Sequence, residues 1–159
     1  MANLPTFKLM MSHPAHLLSF GFGVGLMPKA PGTFGTLVAL PLAALAMGLS
    51  IQQQLLLIAV LFLLGIYVCH LTGLALGVSD HGAIVWDEVV AMMLVLTFTP
   101  TAWFWWVIAF LLFRLFDIWK PFPIRQCDAM VKGGLGVMLD DILAAVYAIL
   151  CMRVLVWMT

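Results

Sequence analysis

The chain has 159 residues, enough for one domain and little more. It is 65% hydrophobic and 9% charged, whereas a soluble domain is roughly 45–50% apolar and about 25% charged. With a mean hydropathy of +1.16 it cannot cover itself with a polar surface. Seven Lys and Arg balance seven Asp and Glu, so the basic footprint of a nucleic-acid partner is missing, and lipid is the expected solvent.

The first 20 residues, MANLPTFKLMMSHPAHLLSF, are broken by Pro5, Pro14 and two histidines. They lack the clean cleavage site that follows the core of a signal peptide. An interfacial segment over 1–20 is expected, amphipathic around 14–20. Four apolar blocks follow. Residues 36–49 would make about 21 Å of helix, short for a span of ~20 residues, with a bend at Pro41. Residues 55–78 are long enough to cross. Residues 89–118 are interrupted by Thr99-Pro100-Thr101, and the fourth block runs from about 140 to 157. Cys69, Cys127 and Cys151 show no metal or redox spacing, and no disulfide is expected.

The break at Pro100 decides the topology. A single kinked helix over 89–118 would put its flanking loops on opposite sides of a membrane. A hairpin would put the loops 21–35, 79–88 and 117–139 on one face. Thr-Pro-Thr is a turn signal, and Trp103, Trp105 and Trp106 suit an interface, so the hairpin is preferred. The expectation is an all-α integral membrane bundle, a single domain over 1–159, with short or broken helices and one charged interfacial face. That face would carry the acids with Lys29, Arg114, Lys120, Arg125 and Lys132. Lys8 belongs to the N-terminal segment, and Arg153 would lie near the other side. The positive-inside bias makes the charged face cytoplasmic.

The acids are few: Asp80, Asp87, Glu88, Asp117, Asp128, Asp140 and Asp141. Five stand at edges of apolar blocks. The helix dipole, worth ~0.3–1 kcal/mol, accounts for one carboxylate at a helix start, as at Asp87 or Asp140. It accounts neither for pairs nor for Asp117 at a C-terminal end. Carboxylates converging on one membrane face repel unless a cation sits among them, and hard oxygen ligands favour magnesium, which also binds phosphate. GFGVGLMPKAPGTFGT, residues 21–36, has the glycines of an anion-binding turn before a helix without the order of a Walker loop. Its alternative is a plain interfacial turn or packing seam. Lys29 and Thr33 are its candidate phosphate contacts. In FRLFDIWKPFPIRQCD, residues 113–128, the spacing of Arg114, Asp117 and Lys120 allows one helix face, either as a salt-bridge cluster or as a metal ligand flanked by cations. His70 reads as a hydrogen-bonded interior residue. His81 reads as a loop residue with a proton shuttle as the sharper alternative. No nucleophile elbow or Cys-His pair is present.

Four segments in order, GFGVGLMPKAPGTFGTLVALP, HGAIVWDEVV, FRLFDIWKPFPI and GGLGVMLDDILAA, resemble the phosphatidylglycerophosphatase A family, over about residues 13–146. The resemblance implies a helical bacterial inner-membrane lipid phosphatase. It would convert phosphatidylglycerophosphate to phosphatidylglycerol and inorganic phosphate with magnesium. The family's acidic motifs fall on Asp87, Glu88, Asp117, Asp140 and Asp141.

The combined expectation is metal-assisted phosphomonoester hydrolysis. Magnesium would be held among Glu88, Asp117, Asp140 and Asp141, as one ion or two. Asp87 would orient the water, and Lys29, Gly32, Thr33 and Lys120 would steady the phosphate. Attack by an aspartate to give a phosphorylated enzyme is an open alternative. The competing classes are a small transporter, which also uses broken helices and carboxylates, and a non-catalytic scaffold. Membrane lipid is the only other partner implied. Oligomeric state is not legible.

Overall fold

Prolines, glycines and one capping box divide the chain into helices. In the computed structural model, which describes residues 4–159, all regular structure among those residues is helical. Helices α1 (Phe7–Ser12) and α2 (Pro14–Ser19) occupy most of the N-terminal segment, whose residues 1–3 lie outside the described residues. Tight 3-10 turns over Gly21–Leu26 lead to α3 (Pro31–Ala46), which opens on Pro31 because its fixed φ suits the first helical position. Helix α4 (Ile51–Leu76) starts at a reciprocal capping box between Ser50 and Gln53 and stops at Gly77, in the left-handed region. The chain continues as α5 (Trp86–Thr97), α6 (Trp103–Trp119), α7 (Ile124–Met130) and α8 (Gly133–Trp157).

Several boundaries differ from the hydropathy pattern. Helix α3 starts at Pro31, ahead of the expected 36, and runs through Pro41 without ending. The expected loop 117–139 holds the last residues of α6, all of α7 and the opening turns of α8. Glycine spacing hid that last start, because GGLG carries little apolar signal yet is helical here. Asp140 and Asp141 therefore stand about two turns inside α8, beyond the reach of a dipole effect confined to the first turn.

Residues 98–102 reverse the chain. Arg114, near the end of α6, forms an ion pair with Glu88, near the start of α5, at 3.7 Å. In one continuous helix those residues would be about 39 Å apart. The hairpin leaves the connections before α3, α5 and α8 at one end of the bundle and residues 47–50 and 98–102 at the other. Arg153 lies at that second end, its guanidinium 5.7 Å from the centre of the Phe98 ring.

Helix α5 is the centre of the bundle. Val89, Val90, Ala91, Met92 and Val95 have no exposed surface, as befits a helix apolar on every side, and α3, α4 and α8 all pack on it. Helices α4 and α8, of 26 and 25 residues, are long and apolar enough to cross a bilayer. The outward residues of α4, among them Leu56, Leu63 and Leu74, are large and apolar, as are Leu111, Leu115 and Ile118 of α6.

Close helix approach depends on small residues. A Cβ on Gly134, at the head of α8, would collide with the Ile66 carbonyl of α4. Gly134→Ala should therefore lower stability by about 1–3 kcal/mol in detergent unfolding. The same exchange at Gly48, which has nothing within 4 Å of such an atom, should stay within about 0.5 kcal/mol.

Candidate active site

Asp87 and Glu88 occupy the first turn of α5, where the dipole favours negative charge. That turn is braced from behind. Val85 donates its N–H to the Ser19 carbonyl at 2.9 Å, and a Cβ on Gly35 of α3 would stand 2.7 Å from Val85 Cβ. The approach to α5 is closed by His81, whose Nδ1 accepts the Ala83 N–H at 3.1 Å. The structure thus uses that nitrogen of His81 to shape a loop.

Asp141 reaches the same place from α8. One ligand oxygen from each of Asp87, Glu88 and Asp141 lies within 4.8 Å of the other two. Asp87 and Asp141 are only 8% and 3% exposed. Each of the three has a buried oxygen without a hydrogen-bond partner: Asp87 Oδ1, Glu88 Oε2 and Asp141 Oδ2. Two ionised carboxylates 4.8 Å apart repel by about 3 kcal/mol even at an effective dielectric of ~20. Three such pairs reach about 10 kcal/mol, the size of a whole domain's stability. An all-oxygen set of this kind fits a hard divalent cation, which would satisfy the orphaned oxygens and remove the repulsion.

Asp117 and Arg114 flank the group. The Asp117 carboxylate adjoins that of Asp141 and accepts from Arg114 Nη1. The same nitrogen donates to Thr36 Oγ1 of α3 at 3.4 Å, and Thr36 donates to the Gly32 carbonyl at 2.8 Å. Gly32 brings the start of α3 directly against Glu88, since a Cβ there would collide with the Glu88 carboxylate and stand 3.3 Å from Arg114 Nη1. The single guanidinium therefore ties together α3, α5 and α6.

Asp140 is placed differently from the expectation. One helical step of about 100° from Asp141, Asp140 turns to a different partner. It pairs with Lys120 at 2.5 Å, and Lys120 also meets Asp128 at 3.2 Å. Lys120 ends α6 in the left-handed conformation, which costs an L-residue about 1–2 kcal/mol. Burial alone would lower its pKa, but the hydrogen bonds and charges of Asp140 and Asp128 raise it above the ordinary lysine value. Asp140, expected on the metal, and Lys120, expected on the phosphate, are instead each other's partners. Lys120 also leaves the face shared by Arg114 and Asp117, because the helix ends before it.

Among the remaining expected phosphate contacts, Gly32 lies against Glu88, Thr33 is half-buried in the first turn of α3, and Lys29 is exposed in the preceding loop. His70, expected in the interior, is exposed on α4 beside Gly133. Asp87, expected to orient water, belongs to the metal-capable group. Arg114 was expected only as one of the cations flanking a metal-bound Asp117, and Thr36 was not among the expected site residues. The three-residue spacing of Arg114 and Asp117 signals their pairing, whereas no local pattern marks Thr36.

A family model described as phosphatidylglycerophosphatase A matches residues 17–156. The chain is 47% identical over 150 residues to a Haemophilus influenzae protein named phosphatidylglycerophosphatase A, covering 93% of this chain and 92% of that protein. It is 47% identical over 140 residues to the Escherichia coli protein of the same name, covering 87% of this chain and 81% of that one. No solved structure matches the chain significantly. The Asp87, Glu88 and Asp141 cluster thus sits in a chain that belongs to the phosphatidylglycerophosphatase A family.

Proposed function

We propose that this protein hydrolyses phosphatidylglycerophosphate to phosphatidylglycerol and inorganic phosphate at the charged end of its helical bundle. The observation that carries this reading is the convergence of Asp87, Glu88 and Asp141 within 4.8 Å, each with a buried oxygen lacking a partner. Magnesium is the proposed occupant, held by these three carboxylates, with Asp117 beside them. When bound, it supplies neutralisation of phosphate charge and polarisation of the ester being broken.

The chain's own groups do the rest. Arg114 stands between the carboxylates and the start of α3, where its charge and the helix dipole favour a phosphate oxygen. Asp117 is anchored at Oδ2 by Arg114 and is 13% exposed, which leaves Oδ1 to orient water and accept its proton. Water oxygen bonds to phosphorus as the bond to the glycerol oxygen breaks. That oxygen takes up a proton and leaves as the alcohol, and the fourth oxygen of inorganic phosphate comes from water. Phosphoryl transfer asks little more than positioning and charge stabilisation.

The bundle is proposed to be a multi-pass protein of the bacterial inner membrane. The length of α4 and α8 and the apolar outer faces of α4 and α6 support this. Lys29, Arg114, Lys120, Arg125 and Lys132 lie toward the end bearing the acids and Arg153 lies at the other, so the active face is assigned to the cytoplasm. An acidic group confined to one end favours chemistry on a lipid headgroup over transport, which needs a path to both faces.

Asp141→Asn and Glu88→Gln should each reduce phosphate release from phosphatidylglycerophosphate by about 10²-fold or more while the protein still folds. Intact turnover in either would remove the assigned cluster. A chelator should abolish activity, with magnesium restoring it in wild type and not in the double variant. Lys120→Met leaves Asp140 buried without its counter-ion and should lower unfolding stability by about 2 kcal/mol. A rise in KM at unchanged stability would instead return Lys120 to the phosphate.

A further inference from the structure

Helices α3 and α4 are consecutive, yet both pack on α5 rather than on each other. The opening between them is a groove of about 310 Å³ lined by apolar residues, at the small end of the ~300–1,000 Å³ typical of ligand sites. It runs along α5 from Trp86 to Met93, with Leu42 of α3 on one wall and Leu57 and Leu61 of α4 on the other. Two helical turns separate Trp86 from Met93, a depth of about 10 Å.

The upper end of the groove is joined covalently to the carboxylate cluster, because Trp86 directly precedes Asp87. Trp86 is only 3% exposed and held rigidly. Its indole N–H donates to the Leu61 carbonyl at 3.2 Å, and a Cβ on Gly65 would stand 2.9 Å from its Cδ1. Phe22, at the mouth, lies edge-on to Trp86 with ring centres 6.3 Å apart. It has φ 59°, a conformation that costs a bulky residue energy and is kept only where its surroundings enforce it. Here that conformation leaves the ring 55% exposed at the groove entrance.

We propose that this groove receives one acyl chain of the lipid phosphate whose headgroup is hydrolysed at Asp87, Glu88 and Asp141; the proposal rests on the phosphatase reading above. A single amphiphile is the ligand whose chemistry matches both ends, an anionic phosphate at the carboxylate and arginine cluster and a hydrocarbon tail along Leu42, Leu57 and Leu61. Seating the tail there fixes the distance between headgroup and membrane surface. Binding energy from a part of the substrate remote from the bond being broken then orients the phosphate.

Filling the groove tests this. Long-chain and short-chain phosphatidylglycerophosphate are compared in mixed micelles with wild type, Leu42→Trp, Leu57→Trp and, as a control on the outer face of α4, Leu63→Trp. The ratio of kcat/KM for the long chain to that for the short chain should fall about tenfold in the two groove variants, the loss of a few buried methylenes. It should match wild type in Leu63→Trp. Wild-type turnover with the same ratio in all four proteins, or an equal fall in Leu63→Trp, overturns the groove and leaves the phosphatase reading standing. No phosphate release by wild type from either lipid overturns both. Should the groove variants fail to fold, a phosphonate analogue carrying a photoreactive group along one acyl chain is used on wild type. Labelling of Leu57 or Met93 in preference to Leu63 supports the proposal, and even labelling around the bundle overturns it.

Discussion

Repulsion among buried carboxylates is the constraint around which this bundle is arranged. Asp87, Glu88 and Asp141 are close enough that leaving all three ionised and unpaired would consume a stability margin of the usual size. A structure that keeps them together must offer compensation. Part is visible in the protein: Arg114 binds Asp117 and approaches Glu88, and the first turn of α5 favours the two acids it carries. One guanidinium against four carboxylates is not enough. The remaining negative charge gives the cluster the character of a cation site, and this is the basis for the magnesium proposed there.

Much of the fold serves to deliver those groups to one place. The turn at 98–102 brings the end of α6 back beside the start of α5 and so makes the contact between Arg114 and Glu88 possible. Glycines then remove the obstacles to close approach. Gly32 admits the Glu88 carboxylate, Gly35 admits Val85, and Gly134 lets α8 lie against α4 at a height that carries Asp141 inward. The charged end has a second, separate device. Lys120, Asp140 and Asp128 tie the end of α6 to α7 and α8, so the helices bearing Asp117 and Asp141 are locked to each other by residues that do not belong to the ligand group.

With the bundle placed in a membrane as proposed, the same arrangement relates chemistry to membrane depth. The acids lie toward one end of helices whose outer surfaces are apolar, and the groove between α3 and α4 leads away from them along α5. A substrate with an anionic head and hydrocarbon tails can meet both surfaces without leaving the bilayer. Rigid Trp86 lines the groove and directly precedes Asp87 of the cluster.

The sequence by itself determined the helical class, the apolar exterior and the short roster of acids, because composition is a local property and charge is scarce enough to be conspicuous; turn chemistry favoured the reversal at Pro100, and the contact between Arg114 and Glu88 decided it. It also marked Glu88 and Asp141, since motif order and the cost of burying charge single out the same residues. Only the tertiary structure decided how the neighbours divide. Asp140 and Asp141 are adjacent in the chain, yet a helical step of about 100° sends one to Lys120 and the other to Glu88. That division depends on α8 starting at Gly133, a start that glycines concealed, and on α6 stopping short of Lys120. Thr36 and the groove were illegible for the same reason: each exists only where separate helices meet, and no stretch of chain encodes a meeting by its own periodicity.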